Sequence, residues 1–155
     1  MFSVYLFNYE IYDLFFMRQA LILALNAYYM KEIPIGAIVV QNNKIIGSAY
    51  NKKEQMQNPI FHAEVLAINQ ACMTLKQWRL NKCTIYVTLQ PCQMCFFAIM
   101  NARISNIVYA ALSNDYSTLF TYFNNKSKID FMQIKSKIMI NESIRLLQYF
   151  FKGLR

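Results

Sequence analysis

A chain of 155 residues is long enough for one domain that buries about two-thirds of its unfolded surface. With 56% hydrophobic and 15% charged residues it is apolar for a soluble monomer, which leaves room for an apolar face buried in an oligomer, and its net charge of +8 favours a polyanionic partner. Four cysteines without a secretory signal point to a reducing compartment, where C-x-x-C spacing serves metal or redox chemistry more often than a structural disulfide.

Residues 1–16, MFSVYLFNYEIYDLFF, are apolar but lack a basic start and are interrupted by Glu10 and Asp13, so they are not read as a signal peptide or a membrane span. They are expected to be a disordered lead-in to a single domain over 17–155, with Met17 as an alternative start. Asp13 is expected to cap a helix that runs to about Met30 and turns Ala20, Leu21, Ala24, Leu25 and Tyr28 to the core. Pro34 stops it. The β-branched run Ile35 to Val40, the turn Asn42-Asn43 and a second strand from Lys44 to about Tyr50 make a hairpin. Residues 51–60 are polar and end in Asn-Pro, so they form a loop. A second helix begins near His62 and continues through Val65, Leu66, Ile68, Asn69 and Cys72. Thr84 to Leu89 is a third strand. Pro91 marks a helix start, and Cys92 to about Ala102 forms a third helix. Ser105 to Ala111 is a fourth strand, 112–128 a long loop, Ile134 to Ile140 a last strand, and Asn141 the cap of a final helix to Phe151. Strands alternating with helices, several of them buried, indicate an α/β layered sandwich.

The chemistry concentrates in His62-Ala63-Glu64 and Pro91-Cys92-Gln93-Met94-Cys95. One imidazole and two thiolates suit a tetrahedral Zn²⁺, leaving a fourth corner for water whose pKa zinc lowers toward about 7. Glu64 is not needed as a ligand and is free to move protons. Both halves fall at helix starts, where free N–H groups and the helix dipole favour thiolates. His62 is the only histidine in the chain. A structural zinc would need a fourth protein ligand; Cys72 and Cys83 are better read as small core residues. The H-x-E and P-C-x-x-C pair is the general signature of zinc nucleobase deaminases.

The chain resembles the bacterial tRNA-specific adenosine deaminases, of the cytidine deaminase-like fold, from about Phe16 to Phe151. The resemblance rests on Glu32-Ile33-Pro34-Ile35-Gly36-Ala37 with its hairpin, Asn51, Asn58-Pro59 before the H-x-E, Tyr86-Val87-Thr88-Leu89 before the P-C-Q-M-C, Ala102-Arg103-Ile104, and Phe150-Phe151. It implies a three-layer α/β/α sandwich with a mixed central sheet and one zinc per chain on His62, Cys92 and Cys95, with Glu64 as the catalytic proton shuttle. Asn51 and the Ala63 backbone would hold the flipped base. Phe150 and Lys152 would meet the tRNA anticodon stem-loop, in a cytoplasmic homodimer that converts the wobble adenosine to inosine. The basic residues Lys126, Lys128, Lys135, Lys137, Arg145, Lys152 and Arg155, against Asp130 and Glu142, agree with an RNA partner. The chain departs from the family at Gln90, Ile60, Phe96-Phe97 and the glycine-free stretch Ala110 to Tyr116, changes that touch substrate recognition more than zinc chemistry. A free nucleobase or nucleotide deaminase (guanine, cytosine or dCMP type) and a degenerate zinc-containing RNA-binding protein are the alternatives.

Overall fold

The computed structural model describes residues 2–113 and 132–154. In chain order the elements are α1 (Phe2–Tyr29), β1 (Gly36–Gln41), β2 (Lys44–Tyr50), α2 (Ala63–Leu75), β3 (Thr84–Leu89), α3 (Gln93–Asn101), β4 (Asn106–Ala111), β5 (Gln133–Ser136) and α4 (Ile140–Gly153). The five strands form one sheet in the order β2-β1-β3-β4-β5. β1 pairs antiparallel with both β2 and β3, while β3–β4 and β4–β5 are parallel, so the sheet is mixed.

Side-chain alternation along the strands sorts the core into two layers. Ala37, Val39, Ile85, Val87, Ile107 and Tyr109 face α2 and α3, where they meet Ala63, Ala67, Ala71, Phe96 and Ile99. Ile38, Val40, Tyr86, Val108 and Ala110 face the other way, onto Phe16, Met17, Ala20 and Leu21 of α1 and onto Met139 beside α4. This is the expected three-layer α/β/α sandwich. Its helices lie unusually close to the hairpin. A Cβ on Gly36 would run into the Ala20 carbonyl oxygen, and one on Gly47 into the Ala67 carbonyl oxygen. Small residues one turn apart, Ala20 and Ala24 on α1 and Ala67 and Ala71 on α2, therefore face a glycine on the strand, and any side chain there would push the helix off the sheet. Asn42 and Asn43 both have positive φ, 50° and 59°, which suits the tight turn of the hairpin.

Three expectations at element ends are corrected. The helix does not start at Asp13 but continues back to Phe2. Within residues 11–16 of that stretch, Asp13 and Phe16 are buried and their neighbours are exposed. Asp13 lies inside the helix and accepts hydrogen bonds from Tyr86 Oη at 2.8 Å and Lys135 Nζ at 2.9 Å, tying α1 to β3 and β5. The last strand ends at Ser136, because Lys137 and Met139 take positive φ and turn the chain into α4. Met139, not Asn141, is the N-cap of α4, and Asn141 sits exposed in its first turn. No described helix is long and apolar enough to cross a membrane.

Candidate metal centre and active site

Register places the carboxyl ends of β3 and β4 side by side, with Leu89 opposite Ala111, and at the hairpin Gly36 opposite Tyr50. α2 and α3 both start near this end of the sheet, the usual ligand crevice of an α/β fold. His62 is the N-cap of α2 and Cys92 the N-cap of α3, both with extended backbone and neither with a side-chain cap bond. Their side chains are thus left for another task.

His62 Nδ1 lies 3.7 Å from Cys92 Sγ and 3.5 Å from Cys95 Sγ. All three ligand atoms fall within 4.8 Å of one another, and they form the one such group among the described residues. With bonds of about 2.0–2.1 Å to nitrogen and 2.3 Å to sulfur, the N–S edge of a tetrahedral zinc site is about 3.6 Å. The donor set and its spacing fit that ion. Cys72 and Cys83 stand apart: their thiols lie near the carbonyl oxygens of Trp78 and Asn81, at 3.8 and 3.7 Å, and burial pushes Cys83 up to about 11.

Charge in the group is unevenly shared. The Cys95 thiol, the His62 ring and the Cys95 backbone N–H all support a thiolate at Cys92, whose pKa falls to about 4. His62 is raised, first by its hydrogen bond to Cys92. Cys95 is pushed up, first by its hydrogen bond to Cys92 and then by burial. Glu64, 3% exposed in the first turn of α2, is pushed up to about 7 by burial, and its Oε2 has no hydrogen-bond partner. Ionising Cys95 and Glu64 as well as Cys92 would call for positive charge in this crevice, which a divalent cation would supply. An orphaned buried oxygen is costly unless something meets it.

Asn51 is buried at the end of the hairpin, its backbone N–H bonded to the Ile35 carbonyl. Lys52 N–H donates to the Phe61 carbonyl at 3.0 Å, which brings residues 51–53 alongside 61–62. Ala63 opens α2, where backbone N–H groups lack intrahelical acceptors. Phe150 is half-buried, 6.3 Å from the Tyr28 ring, whereas Phe151 and Lys152 are exposed at the end of α4. Lys126, Lys128, Asp130, Arg155 and the stretch 114–131 lie outside the described residues. Of the family departures, Phe96 is buried in the core between sheet and helices, and Phe97 projects beside it. Gln90 Oε1 accepts the Ser113 N–H at 3.1 Å, holding the start of the following loop. Ile60 is exposed, and Asn58 Oδ1 accepts its N–H.

Glu32 was not legible as part of this region. It is fully buried, and its carboxylate accepts from Asn51 Nδ2, Glu54 N and Gln55 N. One signal for it exists in the sequence: an acidic residue just past a helix C-terminus opposes the helix dipole and needs partners elsewhere.

Over residues 12–155 the chain matches the MafB19-like deaminase family. It is 38% identical over 144 residues to the tRNA-specific adenosine deaminase of Rickettsia bellii (strain RML369-C), covering 90% of this chain and 99% of that one. A solved structure from a study of A-to-I editing by tRNA:A34 deaminases superposes with a TM-score of 0.78 at 32% identity, covering 85% and 98% of the two chains. Guanine deaminase from Bacillus subtilis is 34% identical but superposes with a TM-score of 0.62 over 70% of this chain and 73% of that one. The fuller agreement with the first two decides the branch: the chain belongs to the tRNA-specific adenosine deaminases, within the MafB19-like deaminase family.

Proposed function

We propose that this protein is a zinc-dependent hydrolase that converts adenosine to inosine at the wobble position of a tRNA anticodon. The observation that carries this reading is the His62–Cys92–Cys95 group beside a buried Glu64 carboxyl with an orphaned oxygen. His62, Cys92 and Cys95 would hold one zinc per chain, which supplies the Lewis acidity that makes water a competent nucleophile near neutral pH. Glu64, buried beside that group with one oxygen unpartnered, takes a proton from the attacking water. It returns protons to the ring nitrogen and to the departing amine, so adenosine and water give inosine and ammonia. The Asn51 amide and the Ala63 backbone hold the base, which reaches the crevice only when flipped out, as an anticodon base can be.

The exposed Lys152 and the basic net charge of +8 support an RNA partner, with Phe151 a better candidate than Phe150 for stacking, since Phe150 packs on Tyr28. Met94 and Phe97, one turn apart on α3 and both partly exposed, support a homodimer through that helix. A cytoplasmic location follows from the tRNA substrate. The test is nucleoside mass spectrometry of a wobble-adenosine stem-loop after reaction, run beside Glu64→Ala. Inosine in the parent reaction alone supports the reading. Turnover of free guanine, cytosine or dCMP without inosine would replace it, and tight stem-loop binding without any turnover would favour a degenerate RNA-binding protein.

A further inference from the structure

Glu32 is a fully buried acid that the chemistry above does not use, and its position is determined on both sides. Its backbone belongs to the closing turn of α1: Lys31 adopts a φ of 61°, its N–H bonds to the Tyr28 carbonyl, and the Glu32 N–H bonds to the Ala27 carbonyl at 2.9 Å. This is the six-to-one and five-to-two pattern of a Schellman motif, which fixes where the side chain sets out from. Its carboxylate then takes three donors, Asn51 Nδ2 at 3.1 Å, Glu54 N at 3.2 Å and Gln55 N at 2.6 Å. Two of those donors are backbone groups of the loop that leads to His62, and the third is the side-chain amide of Asn51.

A carboxylate only accepts, so the Asn51 amide must turn its nitrogen to Glu32 and its oxygen away. Polarity of an amide is otherwise ambiguous, because the two ends differ little in shape. With the Asn51 backbone N–H bonded to Ile35 and the side chain bonded to Glu32, the amide loses its freedom before any base arrives. We infer that Glu32 is the positioning residue of the base pocket: it sets the polarity and place of the Asn51 amide and pins the loop that follows it. This rests on Asn51 meeting the base, as proposed above. The order lost on binding is then already lost in the free protein, and that shows in substrate binding more than in proton transfer.

The experiment is a double-mutant cycle on the full zinc-loaded chain with Glu32→Gln, Asn51→Ala and the pair, measuring kcat, KM for the wobble-adenosine stem-loop, and zinc per chain. Glu32→Gln keeps the shape but offers a donor where three donors converge. It is expected to raise KM about tenfold, with zinc unchanged and kcat within about threefold, the scale of one charge-assisted hydrogen bond. In the Asn51→Ala background the same change should alter KM less than about twofold, because the group it positions is gone. An equal rise in KM in both backgrounds, an unchanged KM in the parent background, or activity lost in step with zinc would overturn the inference. If Glu32→Gln does not fold, Glu32→Asp, one methylene shorter, is measured through the same cycle. Failure of the functional reading is visible separately: the parent protein makes no inosine. The cycle is then read on whichever free base or nucleotide the parent turns over, and a parent with no substrate overturns both.

Discussion

Two buried acids, Glu32 and Glu64, lie near one end of the same sheet and have been given opposite surroundings. Glu32 collects three hydrogen-bond donors and no acidic neighbour is needed to explain it. Glu64, buried to a similar degree, keeps one oxygen without any partner and is pushed up to about 7 by burial. The first arrangement is what folding selects, because a satisfied carboxylate organises the chain around it. The second is poor for folding and is retained beside a metal-binding group, where an acid that can gain and lose a proton near neutral pH is useful. Structural and chemical roles can therefore be separated by hydrogen-bond completeness, not by burial.

The largest effect should come from removing the cation that the Glu64 side calls for. Cys95→Ser, or prolonged chelation of the parent protein, is expected to reduce zinc per chain to near zero and deaminase activity to background. Cys83→Ser should keep both, and zinc analysis beside an ammonia-release assay checks the contrast. Hydrogen exchange at the Glu54 and Gln55 amides should stay slow after chelation, since their acceptor is Glu32 and not the metal group. Fast exchange there would show the two regions to be one unit. Next in size, Glu64→Gln should lower kcat by about 10²–10⁴-fold while zinc stays bound, the usual worth of a positioned general acid–base. A loss below tenfold would remove Glu64 from the proton path.

The grouping of His62, Cys92 and Cys95 was legible because its parts are local. His62 and Glu64 are two residues apart, Cys92 and Cys95 three, and each pair opens a helix that Asn-Pro or Pro announces. Strand alternation was equally local, and β2 and β3 have the ends expected of them. What escaped depends on partners far along the chain. Asp13 looks like a cap until Tyr86 and Lys135, 73 and 122 positions away, claim its two oxygens. Glu32 looks like a charge in a motif until the loop at 51–55 closes over it. Asn141 is a good cap by type, but the chain had already turned at Met139, whose φ of 57° starts the helix two residues earlier. Residue type decided the site, and tertiary contact decided the ends.

The smallest expected effect gives the comparison its sharpest form, because the same substitution should act with opposite sign at the two acids. Glu32→Gln leaves buried donors without a full acceptor and should destabilise the protein by about 1–3 kcal/mol. Glu64→Gln removes an acid whose burial outweighs the hydrogen bonds open to its ionised form and leaves one oxygen unpaired, so in chelator-treated protein it should stabilise. For Glu64 the folded value, about 7, lies above the ordinary 4.5. Below about 4.5 the acid is protonated in both folded and unfolded chains and costs nothing. As pH rises from there toward 7 the unfolded chain ionises first, and the parent protein loses stability that Glu64→Gln cannot lose. The gain from Glu64→Gln should therefore be on the order of 1–3 kcal/mol at pH 8 and fade toward pH 5. Thermal unfolding of the two variants and the parent at pH 5, 6.5 and 8 checks it. A Glu64→Gln variant less stable than its parent at pH 8 would mean that the partners of the Glu64 carboxylate outweigh its burial, and that the two acids are alike.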